Sequence, residues 1–186
     1  MAHFRVAKRY AKGFMDFLSG SDKEEMVMQE MLQIRDLVKS NRDLKNFFAS
    51  PIIDYKKKTQ IMNNVFADYS EESRTFLSLI IRQDRSLAIG EIAAEFIQLY
   101  KAKNNIKDAT ITSAQKLDQA QIDAILSKAK ETLPAGTSLE VLNKVDPSLI
   151  GGFILRIDDK QFDASISSKM NKIRKEFDSK HYIPKV

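Results

Sequence analysis

Residues 86–113 read SLAIGEIAAEFIQLYKAKNNIKDATITS, and the apolar periodicity changes within them. Ile89, Ile92, Ala93, Phe96, Ile97 and Tyr100 recur every three or four residues, which puts them on one face of a helix. From Lys107 to Ser113 the run KDATITS alternates and is rich in Thr and Ile, the pattern of a strand with one face turned inward. Asn104-Asn105 lies between them. A helical segment therefore ends, and a strand-bearing one begins, near residue 105.

The upstream sequence is helical by composition. Between Gly20 and Gly90 there is no glycine and one proline, Pro51. The spacing predicts a first helix from Phe4 to Leu18, with Val6, Tyr10, Phe14 and Phe17 on one side. A second, opened by a Ser21/Glu24 capping box, turns Val27, Met31, Ile34 and Val38 inward. Short helices follow over Asp43–Ala49, then one capped by Asp54 (Tyr55, Ile61, Met62, Val65 and Phe66) and one capped by Ser70 (Phe76, Leu77, Ile80 and Ile81). The sixth runs from Ser86 to Asn104. Six helices with short joints describe a bundle. Downstream, Asp118 and Gln121 cap a helix that buries Ile122, Ile125, Leu126 and Ala129. Pro134-Ala135-Gly136 makes a turn, and Leu139–Val145, Phe153–Ile157 and Gln161–Ala164 read as strands. A last helix is expected to bury Ile166, Met170, Ile173 and Phe177 while showing water Lys169, Lys172, Arg174 and Lys175. This half is a smaller α+β unit.

Composition narrows the function. The 186 residues include no Cys, which removes thiol chemistry and Cys-rich zinc sites, and two His, His3 and His181, each close to a terminus. No GxxxxGK[ST] or GxGxxG motif occurs, and no apolar run approaches the roughly 20 residues that span a bilayer. The basic N-terminus lacks the apolar core of a secretion signal, so a cytosolic protein is expected. Gly151-Gly152 precedes an apolar strand and reads as a bulge or close backbone approach. Asp158-Asp159 reads as turn chemistry, Asp163 or Ser165 as the cap of the last helix, and Lys56-Lys57-Lys58 as a solvated face. The fifth helix is apolar on more than one side, and Gly13 beside Phe14 leaves room for a guest. An apolar groove for an amphipathic helix is the functional reading of these features. The net charge of +5 leaves an RNA-binding module as one alternative, and carboxylates near Asp163 leave a small enzyme as another.

VAKRYAKGF at residues 6–14, LKNFFASPI at 44–52, Asp84-Arg85-Ser86-Leu87 and above all VDPSLIGGFILRIDDKQFDAS at 145–165 resemble the delta subunit family of bacterial F-type ATP synthases, equivalent to the mitochondrial oligomycin-sensitivity-conferring protein. The signature positions are Asp146, Gly151, Gly152, Asp163 and Ser165. Asp84 stands where family members often carry glycine, Ala164 replaces a glycine, and Ser167-Ser168 replaces a frequent basic-Gly pair. The resemblance implies an α+β chain: an N-terminal six-helix bundle over 1–105, then a small α/β domain with a short mixed sheet over 106–186. It implies a non-catalytic stator subunit with no cofactor and no metal. Val6, Tyr10, Phe14, Leu77, Ile80 and Ile81 would receive the N-terminal helix of an alpha subunit. Lys169, Lys172, Ile173 and Phe177 would meet the b subunits of the peripheral stalk. Such a protein binds no nucleic acid, forms no homo-oligomer, and touches the bacterial cell membrane, on its cytoplasmic side, only through the complex.

Overall fold

In the computed structural model, residues 2–130, 133, 134 and 136–180 are described, with side chains omitted at 2, 3, 130 and 178–180. His181 and Ala135 lie outside the described residues. The chain is α+β, with eight α-helices and one four-stranded mixed sheet among the described residues. It divides into two compact units, Met1–Asn104 and Asn105–Val186.

The first unit is helical throughout: α1 Ala2–Leu18, α2 Glu24–Ser40, α3 Arg42–Ala49, α4 Tyr55–Val65, α5 Glu71–Arg82 and α6 Ile89–Lys103, the last preceded by a 3-10 turn at Ser86–Ala88. All six inward positions expected on α6 are buried. Around it α1 buries Ala7, Ala11, Phe14, Met15 and Leu18, and α2 buries Val27, Met31 and Ile34. Tyr55, Ile61 and Val65 of α4 are exposed, contrary to the expected stripe, because this short helix turns only Lys58 and Met62 inward.

Capping follows local chemistry in α3 and α5 but not in α2 or α4, where Asp54 stands at the N-cap without a side-chain cap hydrogen bond. The Ser70 hydroxyl accepts from the Ser73 amide and opens α5, and Asn41 accepts from the amides of Asp43 and Leu44 and opens α3. The Ser21/Glu24 box does not form: the Ser21 hydroxyl donates back to the Leu18 carbonyl at 2.8 Å, and Glu24 is drawn to Lys103 at 2.7 Å. Asp84 sits at φ 54°, a left-handed conformation that Asp tolerates better than most side chains. Its place in a glycine-prone position is therefore sterically consistent.

Two buried charged side chains cross-link this unit, and periodicity revealed neither. Lys58 is only 5% exposed; its ammonium donates to the Phe48 carbonyl at 3.1 Å and to the Ser86 hydroxyl at 3.3 Å, so the Lys56–Lys58 run is not a uniform solvated face. Glu30 of α2 caps α5 from across the unit. Its carboxylate accepts from the Ser70 amide and the Ser70 hydroxyl, both at 2.6 Å, and from the Ser73 hydroxyl.

In the second unit β1 (Ile106–Ser113), β2 (Ser138–Val145), β3 (Phe153–Ile157) and β4 (Lys160–Asp163) form a sheet in the order β2-β1-β3-β4. β1 pairs parallel with β2 and antiparallel with β3, and β3 pairs antiparallel with β4. The parallel pair needs a crossover, supplied by α7 (Gln119–Lys130). The Asp118/Gln121 capping box forms in both directions, at 2.7 and 3.2 Å. Ile122, Ile125, Leu126 and Ala129 of α7 pack on Ala109, Ile111, Leu155 and Ile157 of the sheet. Asp158, at φ 48°, makes the tight turn between β3 and β4.

α8 (Ile166–Lys180) departs from expectation. Ile166, Met170, Ile173 and Phe177 are all exposed, Phe177 at 67%. Spacing made the stripe legible, but the core of the sheet packs against α7 and takes nothing from α8, so the stripe faces outward.

Candidate partner-binding groove

Apolar residues at i, i+3 and i+4 on α1 and α5 leave a cleft of about 400 Å³ between the two helices. Arg9, Tyr10, Gly13, Phe14 and Phe17 line one wall, and Glu72, Thr75, Phe76 and Leu79 line the other. The floor is aromatic. The rings of Phe14 and Phe76 are parallel to within 2° with centroids 3.8 Å apart, and Phe17 continues the stack 6.5 Å from Phe14. Phe96 of α6 supports Phe14 from below at 5.2 Å. A Cβ added to Gly13 would meet no atom within 4 Å, so its absence widens the cleft. Phe17 is 71% exposed and Leu79 45%, so the cleft presents apolar surface to water.

The expected groove residues divide into two sets. Tyr10 and Phe14 line the cleft. Val6 is half-buried one turn earlier on α1, outside the lining. Leu77, Ile80 and Ile81 do not face it: each is at most 2% exposed and packs inside the unit. On α5 the inward stripe is Ser73, Phe76, Leu77, Ile80 and Ile81, and the cleft stripe is Glu72, Thr75, Phe76 and Leu79. The two overlap only at Phe76. Sequence patterning found a helix apolar on two sides but favoured the bulkier stripe, which is the core. Thr75 and Leu79, at i and i+4, were the available signal for the other face.

The signature residues 146–165 have structural work. The Asp163 carboxylate accepts from the Ser165 amide at 2.9 Å and from the Ser168 hydroxyl at 2.6 Å. Ser165 in turn accepts from the Ser168 amide at 3.2 Å, so both expected caps open α8. The Ser168 and Ser165 donors hold the Asp163 carboxyl below its ordinary range. Asp146 accepts from the Ser148 amide and is lowered for the same reason. Gly152 has φ +80°, and a Cβ there would overlap the Ala164 carbonyl oxygen; one on Gly151 would lie 2.6 Å from Ile166 Cδ1. The glycines thus let the β2–β3 loop lie against the start of α8, where the Ile166 amide donates to the Gly151 carbonyl at 3.0 Å. Lys169, Lys172, Ile173 and Phe177 are all exposed along α8. Among the described residues no group of three acidic or His side chains is placed to hold a metal, and no helix is long and apolar enough to cross a membrane.

Comparison with known proteins identifies the family. The family described as ATP synthase delta (OSCP) subunit matches residues 6–177. ATP synthase subunit delta of Christiangramia forsetii is 30% identical over 182 residues, covering 98% of each chain. The Flavobacterium psychrophilum subunit delta is 32% identical over 95% of this chain and 98% of its own, and that of Lactobacillus acidophilus 33% over 91% and 92%. A chain of the Toxoplasma gondii mitochondrial ATP synthase hexamer has the same fold, with a TM-score of 0.66 over 92% of this chain and 97% of its own at 16% identity. On the family match and these full-length relatives, the chain belongs to the ATP synthase delta (OSCP) subunit family, the non-catalytic peripheral-stalk subunits of F-type ATP synthases.

Proposed function

We propose that this chain joins two partners: residues 1–105, a six-helix bundle and domain of their own, hold the N-terminal helix of an alpha subunit, and the C-terminal domain over 106–186 holds the b subunits. The observation that carries the first half is the α1/α5 cleft with its stacked Phe14–Phe76 floor and exposed Phe17 and Leu79. An apolar cleft between two helices fits the apolar face of a third. The exposed stripe of α8, Ile166, Met170, Ile173 and Phe177, flanked by Lys169 and Lys172, supports the second half. Its cations suit acidic stretches on the stalk.

The mechanism is mechanical. A turning rotor drags the catalytic head, and a joint that binds tightly and releases slowly holds the head still. Buried apolar anchors give slow dissociation. The subunit works singly at the cytoplasmic face of the bacterial cell membrane, and touches the membrane only through the complex.

Calorimetric titration with a peptide of the alpha-subunit N-terminal helix, at two salt concentrations, tests the groove. One-to-one binding that barely weakens in salt is expected, and Tyr10→Asp or Leu79→Asp should abolish most of it while circular dichroism stays helical. Ile80→Asp is not a suitable probe, because it puts a charge in the core. A folded wild type that does not bind would overturn the assignment.

A further inference from the structure

Two charged side chains of opposite sign, Arg9 and Glu72, line the otherwise apolar groove. Phe14 stacks on Phe76, and Lys23, which follows α1, reaches Glu72 in the first turn of α5 at 2.6 Å. α1 and α5 therefore run in opposite directions, with the end of α1 beside the start of α5. α1 carries four cations and no acid before Asp16. α5 begins with Glu71 and Glu72 and ends with Arg82. Opposed directions place the two charged lining residues at different ends: Glu72 near the end of α1, where Asp16 and Glu71 are partly offset by Lys23 and Arg74, and Arg9 among the α1 cations toward the other.

Two lining residues mark these ends. Arg9 lies 5.7 Å from the centroid of the Tyr10 ring, a cation–π contact, and its guanidinium makes no ion pair among the described residues. Glu72 gives one oxygen to Lys23, whose ammonium holds the carboxyl below its ordinary range. Its other oxygen, Oε2, is shielded from water and has no hydrogen-bond partner among the described residues. A shielded acceptor of that kind is stabilised by any donor that reaches it.

We propose that the groove selects a dipolar amphipathic helix, one that lays a cationic or N–H donor at Glu72 and a carboxylate at Arg9 while its apolar face covers Phe14, Phe17, Phe76 and Leu79. The inference rests on the groove being the helix receptor and adds the charge pattern of the guest. Arg9 and Glu72 act as specificity residues, and the aromatic floor supplies most of the affinity.

Charge reversal separates this from other occupants. Arg9→Glu and Glu72→Lys, each in the full chain, should both weaken the alpha N-terminal peptide by about fivefold at low salt, and the losses should shrink at high salt. Lys23→Met frees Glu72 and should leave affinity equal or higher. A uniformly acidic guest would bind Glu72→Lys more tightly, and a uniformly basic one would bind Arg9→Glu more tightly; either result overturns the proposal. So do two reversals without effect, or a Lys23→Met loss matching that of Glu72→Lys, which would make the ion pair merely structural. If the wild type does not bind the peptide at all, the groove assignment itself fails.

Discussion

Glu30→Ala is the sharpest test of how this fold is held. Glu30 is 9% exposed, and its two oxygens accept one amide and two hydroxyl donors at the start of α5. A hydrogen bond to a charged group is worth about 1.5–3 kcal/mol net, and the three are not additive because one carboxylate desolvation serves them all. Removing the carboxylate leaves the Ser70 amide without this acceptor and Ser73, fully buried, without its own. Water can reach the partly buried Ser70 but not Ser73. The balance is a loss of about 3 kcal/mol, a large share of a typical domain's stability. For a unit of about 100 residues that corresponds to a fall of about 12–24 °C in melting temperature. Urea unfolding followed by far-ultraviolet circular dichroism gives the free energy, and amide exchange at Ser70–Ser73 gives its location. Glu30→Gln keeps the shape and one acceptor oxygen and should cost less than half as much. A loss under about 1 kcal/mol, or unchanged exchange in the first turn of α5, would refute the claim that Glu30 anchors that helix.

Gly152→Ala should destabilise the second unit by about 2 kcal/mol or more in a denaturant titration, since the position needs positive φ and has no room for a Cβ. Lys58→Met should be far milder than Lys58→Ala in the same assay, because methionine fills the volume while alanine leaves a cavity. Asp163→Asn should flatten the acid side of the stability profile. The folded carboxyl is held below its unfolded value, so its contribution is complete above about pH 4 and fades as pH falls through the lowered folded value. A chain ending after residue 105 should remain helical and melt cooperatively; a molten product would show that the bundle does not fold as a domain of its own.

Periodicity alone determined where helix gives way to strand, which residues of α6 are buried, and the capping of α5 and α7. These are properties of neighbours in sequence: a 3.6-residue repeat, an alternation, a Ser or Asp placed to meet an amide two or three positions on. The signature glycines and Asp163 were equally legible, because a turn and a cap are local. Tertiary structure decided what spacing leaves ambiguous. Leu77, Ile80 and Ile81 belong to the core and Thr75 and Leu79 to the groove because α4 and α2 pack against α5 on one side and leave the other side open. The α8 stripe is outside because the core residues of the sheet pack against α7 and not against α8. Lys58 and Glu30 are inside because partners ten to forty-three residues away in sequence satisfy them. An amphipathic pattern states that a face wants cover, but only the packing of the other elements states whether this chain supplies the cover or leaves it to a partner.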